Sequence, residues 1–421
     1  MLATSYKQHP WWWYLGVTLL VRLWYGWLIF PWMWEGDAGE YVGVAAGWLQ
    51  GEVGDFYWPP GLPALLSSFL GISGISKVSS SLLMLCGWCA WIYAMRYLLG
   101  RNPAKWEWRG LWIFGLWPAW IHQAVVPLTH LWVGVFLLLS IYLLRKNTSF
   151  GKGVLAGACL LMAIWLRPAT ILVCVCMLVY VGWKEGINRK LVAVALFPFT
   201  GILCWQLFSY HQTGTHFFIN KASVYNLYLG NHPETPMYKS WWLGSHAEDW
   251  PQFPAFQAEV DSVRALPEVT QSVAYRDLSL LHIAEHPGEF LLRTLNRVRV
   301  FWAFDTFTGA WWYPRNNFIG QIILGIDAIC YLSFMSICLL FWHPTFSRDK
   351  VKELSLLTIL AYGLPYYLAF SHPTYHFAII PLFLFLGEWK KKPTMTLTKW
   401  GILFLLIGIQ LEWIFHMSSS L

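Results

Sequence analysis

Apolar runs long enough to cross a membrane recur along this chain, and they limit its fold more than any other feature. A helix needs about 20 apolar residues to cross the hydrocarbon core of a bilayer. Pro127 and Pro168 each divide a pair of neighbouring runs, and we expect each pair to form a tight hairpin. The sequence predicts an all-α polytopic membrane protein with about eleven spans, at residues 11–31, 79–99, 110–127, 128–144, 153–168, 169–183, 191–209, 318–342, 354–371, 375–388 and 398–416.

The composition agrees with a surface that largely faces lipid. Charged residues make up only 12% of the 421 residues, whereas a soluble domain carries about 25%. The mean hydropathy is +0.45, and the 30 Trp suit the bilayer interface, where the indole N–H can reach water. The net charge of +7 comes from short basic clusters between apolar runs, which argues against nucleic acid as a partner.

The basic residues fall on one side of the predicted spans. With the N-terminus placed in the cytoplasm, 17 of the 29 Lys and Arg residues lie in six short inner segments. The first outer segment, residues 32–60, contains no basic residue and five acidic ones. This distribution follows the positive-inside rule and predicts a cytoplasmic N-terminus with an extracytoplasmic C-terminus.

One outer segment is too long to be a simple loop. Residues 210–317 contain Pro, His, Asn and charge in the proportions of a soluble protein, so we expect an extracytoplasmic subdomain there. Within it, the stretch 270–301 has the spacing of an interfacial helix that lies along the membrane surface. The flanking regions, 1–209 and 318–421, are then an N-terminal and a C-terminal transmembrane module.

The first outer loop, residues 32–64, gathers side chains that could do chemistry. Asp37 and Glu40 stand near the start of a predicted amphipathic helix at 37–50, where both carboxylates would share a face with Tyr41. The following Tyr57-Trp58-Pro59-Pro60-Gly61 stretch is predicted to be extended, because Pro disfavours helix at and before itself. A carboxylate here could act as a general base, or Asp37 could simply cap the helix.

The order of these features resembles the glycosyltransferase C superfamily. One span, a GDA-x-x-Y helix and a PPG-x-P segment leading to the next span are similar to the first loop of the bacterial relatives of protein O-mannosyltransferases and of the lipid A aminoarabinose transferase. Leu166-Arg167-Pro168 resembles the family's Arg-Pro at the outer end of a middle span. The stretch 275–302 and the Tyr375-His376-Phe377 loop resemble its later outer segments. The chain departs from the family at Trp58, His130 and His376, where relatives have Lys, an acidic residue and Arg.

The resemblance implies an activity, a location and partners. It implies a bacterial inner-membrane enzyme that takes a sugar from a polyprenyl-phosphate carrier and transfers it, with inversion, to an acceptor hydroxyl at the extracytoplasmic face. The acceptor could be a lipid, a glycan or a protein. Asp37 is expected to be the catalytic base, with Glu40 as its partner. Residues expected to bind the substrates are Tyr41, Tyr57, Lys77, Arg167, Tyr375 and His376.

The alternatives remain open at this stage. A transporter or flippase of lipid-linked sugars would favour symmetric halves, which the sequence does not show. A relative that has lost activity and acts as a scaffold is a third interpretation, since His130 replaces an acid. No cofactor is certain. A divalent metal is left open by two i, i+4 pairs, His282 with His286 and His372 with His376.

Arg22 stands near the middle of the first predicted span, where an unpaired charge is costly. The side chain must therefore face the interior of the helix bundle or a polar cavity. It could pair with Asp327 in the eighth predicted span, or it could line the functional site.

Overall fold

The computed structural model describes residues 10–52, 56–100, 102–146, 149–237, 253–342 and 349–418. These residues form helices and contain no β-strand, so the predicted all-α class is confirmed. The α-helices, numbered α1 to α18 in chain order, are Pro10–Ile29, Asp37–Leu49, Gly61–Ser73, Lys77–Leu99, Lys105–Leu116, Pro118–Gln123, Thr129–Leu144, Phe150–Leu166, Thr170–Glu185, Arg189–Thr213, Ala222–Asn231, Pro254–Arg264, Glu268–Glu285, Pro287–Phe301, Phe307–Trp312, Asn317–Phe341, Lys350–Leu368 and Leu397–Ser418.

Five segments of the described chain are long and apolar enough to cross a membrane: Pro10–Trp32, Lys77–Leu99, Arg189–Thr213, Asn317–Phe341 and Leu397–Phe415. Few residues of α10, α16 and α18 are buried, as expected of helices that face lipid. Other apolar helices, such as α3, α7 and α8, are shorter. The structure therefore supports a membrane-embedded protein, whereas the predicted count of eleven spans is not confirmed.

Proline explains three places where the predicted helices were wrong. The predicted span 110–127 is broken between α5 and α6, because Pro118 has no N–H to continue the first helix. The predicted span 375–388 is a pair of short 3-10 helices, Tyr375–Ala378 and Ile380–Phe385, with Pro381 in the first turn of the second. The single interfacial helix predicted at 270–301 is two helices, α13 and α14, that meet at Pro287.

The break between α5 and α6 decides the partners of two buried charges. It leaves the carbonyl of Gly115 and the N–H of Ala119 without helical partners. Arg22 donates to the Gly115 carbonyl at 2.9 Å and stacks 3.4 Å above the ring of Trp88. Asp327 accepts from the Ala119 N–H at 2.8 Å. The alternative in which Arg22 pairs with Asp327 was therefore wrong, since each charge binds a separate backbone group.

Tryptophan also fills the core, in addition to the expected positions on the outer surface. Trp88 and Trp91 are fully buried and stack with ring centroids 4.9 Å apart. Trp91 stacks in turn on Phe114 at 4.9 Å, and Trp120 contacts the same Phe114 ring at 4.8 Å. This aromatic layer joins α4, α5 and α6 and supports the end of the bundle where the loops converge.

Two backbone contacts attach the segment after α10 to the first outer loop. The carbonyl of Phe56 accepts from the N–H of Lys221 at 2.9 Å, and the carbonyl of Tyr57 accepts from the side-chain amide of Asn220 at 2.9 Å. These bonds place α11 beside the first loop. The predicted domain boundaries at 209/210 and 317/318 stay predictions, while α10 itself continues to Thr213.

Candidate active site

A cavity of about 810 Å³ lies where the loops at one end of the bundle meet. This volume is within the range of roughly 300–1,000 Å³ that is usual for small-molecule sites. Its walls come from segments that the sequence placed at or next to the outer ends of helices. They are residues 32–41, 57–59, 122–130, 166–171, 218–229, 307–311 and 365–375. Five of the eight predicted site residues line this cavity: Asp37, Tyr41, Tyr57, Arg167 and Tyr375.

Asp37 is the first residue of α2, which confirms the predicted amphipathic helix almost to the residue. Gly36 precedes it with a φ of 62°, a backbone conformation that favours glycine, and this turns the chain sharply into the helix. The carboxylate is accessible because it faces the cavity, yet protein surrounds the cavity on several sides. Partial burial raises the pKa of Asp37 above its ordinary value, and the positive charge of Arg167 opposes the rise.

Arg167 is held at the end of α8 by contacts from two other segments. Its Nε donates to Thr129 Oγ1 at 2.8 Å, and its Nη2 lies 3.0 Å from His130 Nε2. The guanidinium also lies over the ring of Tyr375, with the central carbon 4.4 Å from the ring centroid. In the described part of the chain, no carboxylate lies within ion-pair distance of Arg167. The charge is therefore available to an anionic ligand.

Gly61 explains how the first loop reaches the end of α8. A Cβ atom at this position would lie 2.6 Å from the backbone nitrogen of Leu166, so only glycine allows the two backbones to come so close. Gly61 follows the paired prolines directly, and Leu166 precedes Arg167 directly. The Pro-Pro-Gly segment therefore fixes the distance between the loop and the arginine.

Four tyrosines line the cavity together with the acid and the arginine: Tyr41, Tyr57, Tyr366 and Tyr375. Tyr41 lies one helical turn after Asp37 and packs on Trp58, with ring centroids 4.7 Å apart. Tyr375 packs on Tyr366 at 4.7 Å. Tyr57 lines the same cavity. Such rings can stack on a sugar, and their hydroxyls can donate hydrogen bonds to sugar or phosphate oxygens.

Three predicted site residues do not line the cavity. Glu40 lies at a separate, smaller surface depression with Gly43 and Glu52, so the expectation that Asp37 and Glu40 share a face with Tyr41 was wrong. Successive helical residues are rotated by about 100°, so Glu40 and Tyr41 point in different directions and the cavity lies on the side of Tyr41. Lys77 donates to the carbonyl of Pro31 at 2.6 Å, outside the cavity.

His376 is the third of these residues, and it is fully buried behind the wall. Its Nδ1 contacts the carbonyl of Phe301, and its ring stacks parallel to Trp302. The side chain supports the loop that carries Tyr375 and does not face the ligand space. This geometry separates the neighbours Tyr375 and His376, which the sequence had placed together.

Several cavity residues were missed as candidates from the sequence. His122 lines the cavity, and its Nδ1 lies 2.8 Å from the hydroxyl of Tyr25. Glu35 also lines it and forms an ion pair with Arg315. His130 and His372, both named from the sequence, line the same cavity. A signal for His122 was its place near the outer end of a predicted span, where a buried polar residue is expensive.

The two i, i+4 histidine pairs that left a divalent metal open do not come together as pairs of metal ligands. Nδ1 of His372 lies 2.7 Å from Thr374 Oγ1, while His376 is turned toward Phe301. His286 is exposed at the end of α13. His282 instead lies beside His232 and Glu259, in the segment that follows α10, and none of these three residues lines the cavity.

No family model, curated protein or solved structure matches this chain.

Proposed function

We propose that this chain is a membrane glycosyltransferase that moves a sugar from a polyprenyl-phosphate carrier to an acceptor hydroxyl at the extracytoplasmic face of a bacterial inner membrane. The observation that supports this proposal is the presence of Asp37 and Arg167 in one cavity, next to apolar helices. A carboxylate and an arginine in one cavity that tyrosines also line suit the transfer of a sugar away from a phosphate.

The proposed reaction uses each group at a different point. The carboxylate of Asp37 accepts the proton of the acceptor hydroxyl as its oxygen attacks the anomeric carbon. The bond between this carbon and the phosphate oxygen breaks on the opposite face, which inverts the anomeric configuration. The electron pair leaves with the lipid phosphate, and Arg167 stabilises the additional negative charge.

The environment of each group suits its proposed role. A raised pKa makes Asp37 a stronger base than an ordinary aspartate, while the opposing charge of Arg167 keeps it from rising further. Arg167 offers two parallel N–H groups to a phosphate, a geometry that lysine lacks. The proposed acceptor is a lipid, a glycan or a protein, and its selection is assigned to α11 and α15, which both line the cavity.

The decisive test is sugar transfer by the purified protein in detergent. Radiolabelled polyprenyl-phosphate sugars would serve as donors and a membrane extract as the source of acceptors, with wild type, Asp37→Asn and Glu40→Gln compared. Transfer by wild type and Glu40→Gln, with loss in Asp37→Asn while donor binding persists, supports the proposal. Absence of transfer with every donor, together with movement of lipid-linked sugar across proteoliposomes, would instead identify a transporter.

A further inference from the structure

Two histidines and one glutamate from three different helices converge beside the cavity wall. His232 follows the last residue of α11, Glu259 lies on α12, and His282 lies on α13. The Oε2 atom of Glu259 is 3.1 Å from His282 Nε2 and 3.6 Å from His232 Nε2. One nitrogen or oxygen atom from each residue lies within 4.8 Å of the other two.

We propose that His232, Glu259 and His282 bind one Zn²⁺ ion. Two histidines and a carboxylate are a ligand set that zinc prefers, with bonds of about 2.0–2.2 Å in a tetrahedral arrangement. Such bonds place neighbouring ligand atoms roughly 3.4 Å apart. The two measured separations of 3.1 and 3.6 Å bracket that distance. The two imidazole rings are nearly perpendicular, at 81°, so their nitrogens approach one point from different directions.

The proposed site is enclosed by aromatic rings and has one partly exposed ligand. Both histidines are buried, and Tyr228 and Phe256 pack against the His232 ring, with centroids 5.4 and 5.1 Å away. The side chain of Glu259 is 30% exposed, which leaves a route for the ion and space for water as a fourth ligand. The hydroxyl of Tyr228 donates to Glu259 Oε2 at 3.0 Å and would orient the carboxylate as an outer-shell partner.

Zinc binding has a structural consequence at His232. In the metal-free arrangement, its Nδ1 accepts a hydrogen bond from the backbone N–H of Glu234 at 3.1 Å. Coordination through Nε2 moves the ring proton to Nδ1, which then becomes a donor and releases that N–H. One neutral hydrogen bond is therefore exchanged for a metal–ligand bond.

The proposed site is connected to the cavity through α11. Ser223, Asn226 and Leu229 on α11 line the cavity, while His232 at the end of the same helix faces the proposed site. A bound ion would fasten α11 to α12 and α13 and so hold that wall in place. The inference concerns binding, and it stands whether or not the chain transfers sugars.

The test is the zinc content of the tag-free protein, purified in detergent, treated with EDTA, reloaded with ZnCl₂ and desalted. We expect about one zinc ion per chain in the wild type. Tyr228→Phe keeps all three ligands, and its Kd for Zn²⁺ should be about 10–100-fold higher than that of the wild type. His282→Ala should lose the ion, whereas His286→Ala, which removes an exposed histidine from the end of the same helix, should keep it. Equal zinc content in these two alanine variants would overturn the proposal.

A second measurement on the wild type does not depend on how the variants fold. Replacement of zinc by Co²⁺ should give the intense visible absorption of a tetrahedral ion with nitrogen and oxygen ligands, and added Zn²⁺ should remove it. The weak absorption of an octahedral ion would contradict the assignment.

Discussion

The guanidinium of Arg167 lies 4.4 Å from the ring centroid of Tyr375, although 208 residues separate them in the chain. The contact joins the end of α8 to the short 3-10 helix that begins at Tyr375. A cation held over an aromatic ring keeps its N–H groups free for hydrogen bonds in the plane of the guanidinium. Arg167 is thus fixed by a ring, a hydroxyl and a histidine, and its charge is left for a ligand.

The first prediction concerns the base. Asp37→Asn should lower kcat for sugar transfer by about 10²–10⁴-fold, because the amide is similar in size but cannot accept the proton. Donor binding should be nearly unchanged, which a binding assay with the labelled lipid would check. Glu40→Gln is the matched control, because Glu40 is three residues away on the same helix but lies outside the cavity. A larger loss in Glu40→Gln than in Asp37→Asn would assign the base to Glu40.

The second prediction concerns the phosphate. Arg167→Gln should weaken the use of the donor by roughly tenfold or more, since a hydrogen bond to a charged group contributes about 1.5–3 kcal/mol. Arg167→Lys should recover only part of this loss, because lysine lacks the two parallel N–H groups. Lys77→Gln should leave the kinetics unchanged, since Lys77 contacts the Pro31 carbonyl away from the cavity. The measurement is kcat/KM for the donor, and an equal effect of the two glutamine variants would contradict the assignment.

The third prediction concerns pH. Asp37 must be deprotonated to act as a base, so the rate should fall as pH drops through its pKa. Burial raises the pKa of Asp37, so the acid limb of the profile, where the rate falls, should lie above the ordinary aspartate pKa of about 3.9. Arg167 lowers the pKa of Asp37, so Arg167→Gln should move the limb to higher pH. Profiles of kcat/KM against pH would test the sign, and a shift to lower pH would refute the coupling.

The fourth prediction concerns stability. Arg297 is buried and donates to the carbonyls of Gly230, Tyr367 and Ala369, so it ties α11 and α17 to α14. Arg297→Gln would leave buried carbonyls without donors, which destabilises a protein by about 1–3 kcal/mol per group. We expect the midpoint of thermal unfolding in detergent to fall by several degrees.

Arg276 offers the matched control for that experiment. It is exposed and pairs only with its neighbour Asp277 in the described part of the chain, at 2.8 Å. An exposed pair contributes about 0–1 kcal/mol, so Arg276→Gln should leave the midpoint almost unchanged. Equal shifts of the unfolding midpoint in Arg276→Gln and Arg297→Gln would show that the buried hydrogen bonds of Arg297 do not stabilise the protein as expected.

Local patterns in the sequence were enough to predict the helical, membrane-embedded class and the short helix that begins at Asp37. Both depend on residues that are neighbours along the chain: the length of an apolar run, or a Gly-Asp start followed by regular apolar spacing. The same local logic failed where a proline ended a predicted helix early, at Pro118 and before Pro287. There, the missing N–H decides where the helix ends, although the apolar run continues.

The tertiary structure alone decided which residues share a site. It separated Glu40 from Asp37 and His376 from Tyr375, although each pair is close in sequence. A side chain one or three positions further along a helix points in a different direction, so it can face a different surface. It also joined His232 to His282 across 50 residues. Such contacts depend on how whole helices pack. The spacing of residues along one helix contains no information about the orientation of another helix.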